Sequence, residues 1–243
     1  SLKVNTTGQR NTGLGSFSFL SNTTGGFNTG LGYEALASNT TGANNVAVGY
    51  QALDLNTTAN NNTAVGYQAL YANTTGTQNV ALGTYSLDAN TTASNNTAIG
   101  YGALTSNTTA SDATAIGAYA LEDQTTAARN TAVGYGALKD VTTGGENCAT
   151  GWQALTAVTT GSNNTAFGRS AGQATTGTFN TYIGYGSGAD ITSGSKNTII
   201  GNFQGNSGGL DIRTSSNNIV LSDGDGNPRF YFDGANSFHP GVQ

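Results

Sequence analysis

The chain is poor in nearly everything that usually carries chemistry: one cysteine, one histidine, one tryptophan, two prolines and no methionine in 243 residues. A lone thiol, Cys148, closes no internal disulfide, so the fold is held by non-covalent contacts. Charged residues make up only 9 % and the net charge is −5, which argues against nucleic acid or an anionic membrane as partner, since phosphate binding needs clustered Lys and Arg. No apolar run approaches the ~20 residues of a membrane span, so no membrane insertion is expected. Nothing in the pattern calls for a cofactor. Disorder is also disfavoured: eleven Tyr and nine Phe are too many aromatics for a chain of such low charge.

What is present is Gly, Asn, Thr and Ala in a strict period. The glycine of each "A-V-G" falls at Gly15, Gly32, Gly49, Gly66, Gly83, Gly100, Gly117, Gly134, Gly151 and Gly168, then at Gly184 and Gly201, with steps of 17 residues and one step of 16. We number slots from the Asn that opens each copy, so that Asn45 is slot 1 and Gly49 is slot 5. Slot 1 is Asn in eleven copies, Ala113 being the exception. Slot 3 is small, Gly or Ala, through Ala166. Slot 4 is aliphatic or Phe except at Thr150. Slot 9 is Leu or Phe in nine copies, among them Leu53, Leu70 and Leu104, and slots 13 and 14 are Thr-Thr down to Thr175 and Thr176.

A copy holds about four apolar side chains, too few to enclose a core, so successive copies must stack. This predicts an all-β fold, a β-solenoid of about twelve 17-residue coils over residues 1–201, with residues 202–243 as a C-terminal segment. Slots 2–6 read as a strand and "N-T-T-G" as a turn in which Asn and Gly supply left-handed backbone. "Y-Q-A-L" reads either as a second strand or as one helical turn. In-register stacking at ~4.8 Å gives twelve coils a length of roughly 57 Å, with Asn and Thr ladders bonding coil to coil. Small residues in slots 3 and 5 would let neighbouring chains approach closely.

Departures from the period carry further expectations. In the copy opened by Asn147, "N-C-A-T-G" exchanges the contents of slots 2 and 4, which share a strand face, making Cys148 a packing residue. The copy opened by Asn164 loses a residue and places Gly172 in slot 9, after which slot 3 swells to Tyr182 and Ile199, so the cross-section must be repacked. Strands at 219–222 and 229–232 form a hairpin that could cap the open end of the stack. The chain begins in mid-repeat, which points to more coils upstream.

Four groups of residues are candidates for sites. Asp223, Asp225 and Asn227 have the spacing that opens a calcium loop, but the twelfth position is Gly234 instead of Glu, and a hairpin turn needs the same residues. Asp54, Asp88 and Glu122 share slot 10 in alternate coils, roughly 9.5 Å apart, near the upper limit for an inverting glycosidase pair; tolerance of spaced acids explains them more simply. Aromatics recur in slot 6, at Tyr33, Tyr50, Tyr67, Tyr101, Tyr135, Trp152 and Tyr185, and read first as buried core or subunit interface, with an exposed carbohydrate-stacking stripe as the alternative. Seven N-T-T triplets match a glycosylation acceptor, though turn geometry accounts for their spacing. His239 has no visible partner, and no catalytic residue is identified.

Copies of the form "NTAVGYQAL…NTTG" resemble the repetitive shafts of bacteriophage tail fibres and are similar to the heads of trimeric autotransporter adhesins. "NNIVLSDGDGNPRFYFDG" is similar to the segment that precedes an endosialidase-type intramolecular chaperone in many tail fibres. The resemblance implies a parallel homotrimer, a structural fibre without enzymatic activity, located in a virion or at a cell surface. A host glycan or protein receptor is the implied partner. The alternatives are a bacterial cell-surface adhesin, which a membrane anchor would reveal; an ice-binding solenoid, which thermal hysteresis would reveal; and a polysaccharide depolymerase, which would release sugar and lose that activity in Glu122→Gln.

Overall fold

The computed structural model describes residues 2, 4–235 and 237–240. The fold is all-β, with no helix among the described residues: a parallel β-solenoid of about twelve turns, some 17 residues apart, divided between two compact units, residues 1–126 and 127–243. The first unit carries β1 (Thr12–Leu14), β2 (Thr29–Leu31), β3 (Val46–Val48), β4 (Thr63–Val65), β5 (Val80–Leu82), β6 (Thr97–Ile99) and β7 (Thr114–Ile116). Each pairs in parallel with the next, equivalent slots opposite one another, as in Val46↔Thr63 and Ala47↔Ala64.

The second unit continues the pattern with β8 (Thr131–Val133), β9 (Cys148–Thr150), β10 (Thr165–Phe167), β11 (Thr181–Ile183) and β12 (Thr198–Ile200). A short antiparallel pair follows, β13 (Asn206–Ser207) with β14 (Leu210–Asp211). Next, β15 (Ile219–Ser222) pairs in parallel with β12, and β16 (Pro228–Phe232) and β17 (Phe238–Pro240) add antiparallel to it in turn. The two strands expected near the C-terminus are therefore present, and a third joins them.

The strands occupy slots 2–4 only. Alternation puts slot 3 inside and slots 2 and 4 outside: Ala47, Ala64, Ala81 and Ala98 are fully buried, whereas their neighbours face outward. Two expectations are corrected here. Cys148, in slot 2, is exposed and not a packing residue. The small slot 3 residues make room for slot 9 inside the coil, not for a neighbouring chain. At slot 5 the chain turns a corner that only glycine can take. Gly66 has φ +140°, and a Cβ there would lie 2.5 Å from the Gly83 carbonyl oxygen of the next coil.

"Y-Q-A-L" is neither strand nor helix; it is a run of turns. Left-handed backbone falls on slots 7, 9 and 17, as at Gln51 (φ 53°), Leu53 (φ 52°) and Asn44 (φ 60°), and not on the Asn and Gly of "N-T-T-G". A leucine held there costs roughly 1–2 kcal/mol. Stacking offsets it. Leu53 is fully buried, which contributes about 1.5–3 kcal/mol, and its N–H donates to the Ala69 carbonyl of the next coil at 3.1 Å.

The core is narrow and half polar. Through most coils of the first unit two carboxamides are buried beside the Ala and Leu columns and bonded between coils; the slot 12 asparagine ladder ends at Asn107, whose Oδ1 is buried without a partner among the described residues. Asn45 Nδ2 donates to the Ala59 carbonyl of its own coil, while its Oδ1 accepts the Asn62 N–H of the next. In slot 12, Asn22, Asn39, Asn56, Asn73, Asn90 and Asn107 each donate Nδ2 to the Oδ1 of the preceding Asn, at 2.8–3.2 Å. The slot 13 threonines bond coil to coil too, through hydroxyl-to-carbonyl bonds such as Thr40 Oγ1 to Thr57 O. In the second unit slot 12 turns apolar, with Val141 and Val158 fully buried.

Slots 3 and 9 exchange volume, as the sequence suggested. Gly30 leaves space for the Phe19 ring, whose edge would lie 2.7 Å from a Cβ at that position. In the second unit the exchange reverses: the buried Tyr182 ring fills the space vacated by Gly172 and Gly188, where added Cβ atoms would sit 2.5 and 2.3 Å from it. Its hydroxyl meets Thr175 Oγ1 at 3.0 Å. Thr175 thus takes the inward place that valine holds in the preceding coils, Thr176 continues the slot 13 ladder, and the missing residue of that coil is the second Thr.

Candidate functional site

The principal surface feature is the outward strand face. Slot 4 leaves Leu14, Leu82, Ile116, Phe167, Ile183 and Ile200 exposed, from 72 % at Leu14 down to 39 % at Ile116; Val46 and Val80 in slot 2 add to it. From Asn11 to Trp152 no residue in slots 1–6 of any coil is charged. Acids and bases sit elsewhere, in slots 7, 10, 11 and 17, among them Glu34, Asp54, Asp112, Arg129 and Glu146.

Beside this face runs the aromatic column. Tyr50, Tyr67, Tyr101, Tyr135 and Trp152 are exposed on the single chain, at 42–48 %, so their reading as core of the coil is corrected. Tyr33, Tyr50 and Tyr67 stack nearly parallel, with centroids 5.2 and 5.1 Å apart. The column includes residues that slot 6 alone does not reveal. Where slot 6 is Ser16, Thr84 or Ala118, the ring comes from slot 7 as Phe17, Tyr85 or Tyr119, and edge-to-face contacts at 5.3–6.2 Å keep the row unbroken through the first unit. In the second unit Tyr135 stacks on Trp152, and Arg169 lies over both Trp152 (4.9 Å) and Tyr185 (5.4 Å). Adding slots 6 and 7 together, each of the first nine coils has one aromatic.

The remaining candidates separate. Asp223 does not present a free carboxylate: Oδ1 accepts the N–H groups of Asp225 and Asn227, and Arg229 pairs with Oδ2. The Asn227 N–H first, and the guanidinium after it, hold this carboxyl down to about 2. The three residues therefore form a closed turn. Asp54 and Asp88 lie in alternate coils, partly or wholly withdrawn from water; burial pushes each carboxyl up to about 6, and Glu34 adds to this at Asp54. One oxygen of Asp88 is buried without a hydrogen-bond partner among the described residues.

The N-T-T triplets turn their amides inward: Asn39, Asn56, Asn73, Asn90 and Asn107 are fully buried in the slot 12 ladder, closed to a glycosylating enzyme in the folded chain. His239 has partners after all. It stacks on Tyr231 at 4.4 Å, directly across the β16–β17 pair, and lies 3.1 Å from Asp233 Oδ2. Among the described residues no helix is long and apolar enough to cross a membrane, and no group of three or more His, Cys, Asp or Glu could hold a metal ion. Compared with protein family models, curated proteins and solved structures, the chain matches none.

Proposed function

We propose that the chain is part of the rigid shaft of a trimeric phage tail fibre or spike serving host-cell attachment, with three copies packed in parallel through the outward strand face. The observation that carries this reading is the charge-free face itself, whose aliphatic and aromatic columns remain exposed on the single chain. A contiguous apolar surface rimmed by polar residues marks an interaction site. The strand of slots 2–4 is only about 10 Å wide, but it repeats at ~4.8 Å per coil, with the aromatic column beside it. A second copy also repeats at the same rise, so that column can meet column along the whole contact. The ladders supply stiffness, since each coil is fixed to the next through side chains as well as backbone. The antiparallel strands β15–β17 serve as the cap of the stack, because antiparallel pairing ends the run of open parallel edges.

Native mass spectrometry tests the assembly. Three times the 24.5 kDa chain is the expected mass, falling to one chain in Leu82→Lys, where an added ammonium is forced into the apolar face. A monomeric wild-type chain would remove the reading.

A further inference from the structure

Stacked columns give ridges and grooves, whereas a small ligand needs a concave site. The chain makes one where it leaves its period. Asn197 and Asn218 hold equivalent places but are 21 residues apart, four more than a coil needs. The excess forms the β13–β14 hairpin, whose tip at Gly208 comes against Pro228, with an added Cβ only 3.1 Å from the proline ring. Between this hairpin and the Asp223–Asn227 turn lies a cavity of about 200 Å³, lined by Asn202, Gln204, Asn206, Ser207, Asp225 and Gly226.

The lining is mainly polar, with Asn202 held in place and Gln204, Asn206 and Asp225 open to solvent. Asn202 Nδ2 donates to the Gly224 carbonyl at 3.0 Å, which orients the carboxamide and leaves its Oδ1 buried with no partner among the described residues. The Phe203 N–H donates to Ser222 Oγ beneath it. Because Arg229 is engaged by Asp223, the lining has one charge, that of Asp225.

These groups select a chemical class. An anion would meet the Asp225 carboxylate and no cation in the lining. A divalent cation seeks several carboxylates and would find one. An apolar ligand would strand three carboxamides and a hydroxyl. A ring bearing several hydroxyls satisfies all of them, since each hydroxyl both donates and accepts. The volume equals that of six or seven waters at ~30 Å³ each, room for one such ring and not for two. We infer that this cavity binds a single pyranose ring of an uncharged saccharide. The inference rests on the cavity within one chain and is independent of the shaft reading.

Saturation-transfer NMR on the full chain tests it, with methyl α-glucoside, methyl α-galactoside, methyl α-mannoside and N-acetylglucosamine as probes and calcium chloride as competitor. At least one sugar is expected to bind at roughly millimolar strength. Asn206→Ala and Asp225→Ala, both at exposed positions where folding is not at stake, are expected to weaken it about tenfold or more. Binding should persist in Tyr185→Ala, which separates the cavity from the aromatic column, and in Leu82→Lys, which separates it from assembly. No transfer from any probe, transfer that survives both cavity variants, transfer lost in Tyr185→Ala or Leu82→Lys, or displacement of the sugar by calcium would overturn the assignment.

Discussion

The reversal of volume between slots 3 and 9 makes a demanding prediction, because it asks two destabilising changes to correct each other. Tyr182→Ala empties a fully buried site and removes the contact with Thr175 Oγ1. Large-to-small changes of this kind cost about 3–5 kcal/mol. Unfolding entropy near 2.1 cal/mol/K per residue turns 4 kcal/mol into a fall in Tm of about 8 °C if all 243 residues melt together, or about 16 °C if residues 127–243 melt alone. Gly172→Leu with Gly188→Leu should be worse still in the wild-type background, because both side chains would enter the Tyr182 ring. The triple variant restores the Ala-plus-Leu pairing that the coils from Ala47 to Leu155 use, at backbone already left-handed in both places (φ +61° and +62°). Its Tm is expected within about 3 °C of wild type, an interaction energy of several kcal/mol in the double-mutant sense. Thermal melts followed by circular dichroism read all three. If the leucines fail to rescue Tyr182→Ala, or are tolerated without it, the exchange of volume is not what shapes this end of the core.

Other perturbations test other layers. Gly66→Ala meets both a forbidden φ and the Gly83 carbonyl, so a loss of several kcal/mol is expected in urea titration, against well under 1 kcal/mol for Thr75→Ala on the surface. Asn56→Ala removes two donated bonds and one accepted bond and orphans Asn39 Oδ1, which predicts a loss of about 2–4 kcal/mol; a change below 1 kcal/mol would show that the amide ladder is not stabilising. For pH, the sign follows from Asp54 and Asp88. Their folded pKa values, near 6, lie above the unfolded value of 3.8, so the charged form is disfavoured on folding and stability is lost as pH rises through about 6. Tm should therefore increase between about pH 7.5 and pH 5, and Asp54→Asn with Asp88→Asn should flatten that slope; an unchanged slope would discount both carboxyls.

The period, a strand beginning at slot 2 and the repacking around Gly172 are legible in the sequence because each leaves a mark at a fixed spacing; the strand reads as running to slot 6, but the glycine corner at slot 5 ends it at slot 4. Which strand face is inner is less legible. Three residues are too few for alternation to declare itself, and aliphatic slot 4 invites a core reading, although slot 3, Gly or Ala through Ala166, is the buried one. Left-handed Leu53 and Gln51 run against local preference; stacking imposes them, so no propensity could announce them. The aromatic row is hidden by counting slots singly, since Tyr85 and Tyr119 step one place along to replace Thr84 and Ala118. His239 finds Tyr231 and Asp233 only once the strands pair.

The amide ladder that joins the coils links equivalent residues 17 apart along the first unit, and the backbone bonds between coils keep the same offsets from one coil to the next. Removing residues 46–62 would bring Thr63 directly after Asn45, and the backbone groups and the Asn and Thr ladders at the seam would find the same kind of mate they had before. At the level of the gene that is an in-frame loss of 51 nucleotides, the sort of change that misalignment between near-identical tracts produces during replication. The number of coils can thus change in fixed steps, without a new sequence at any of them.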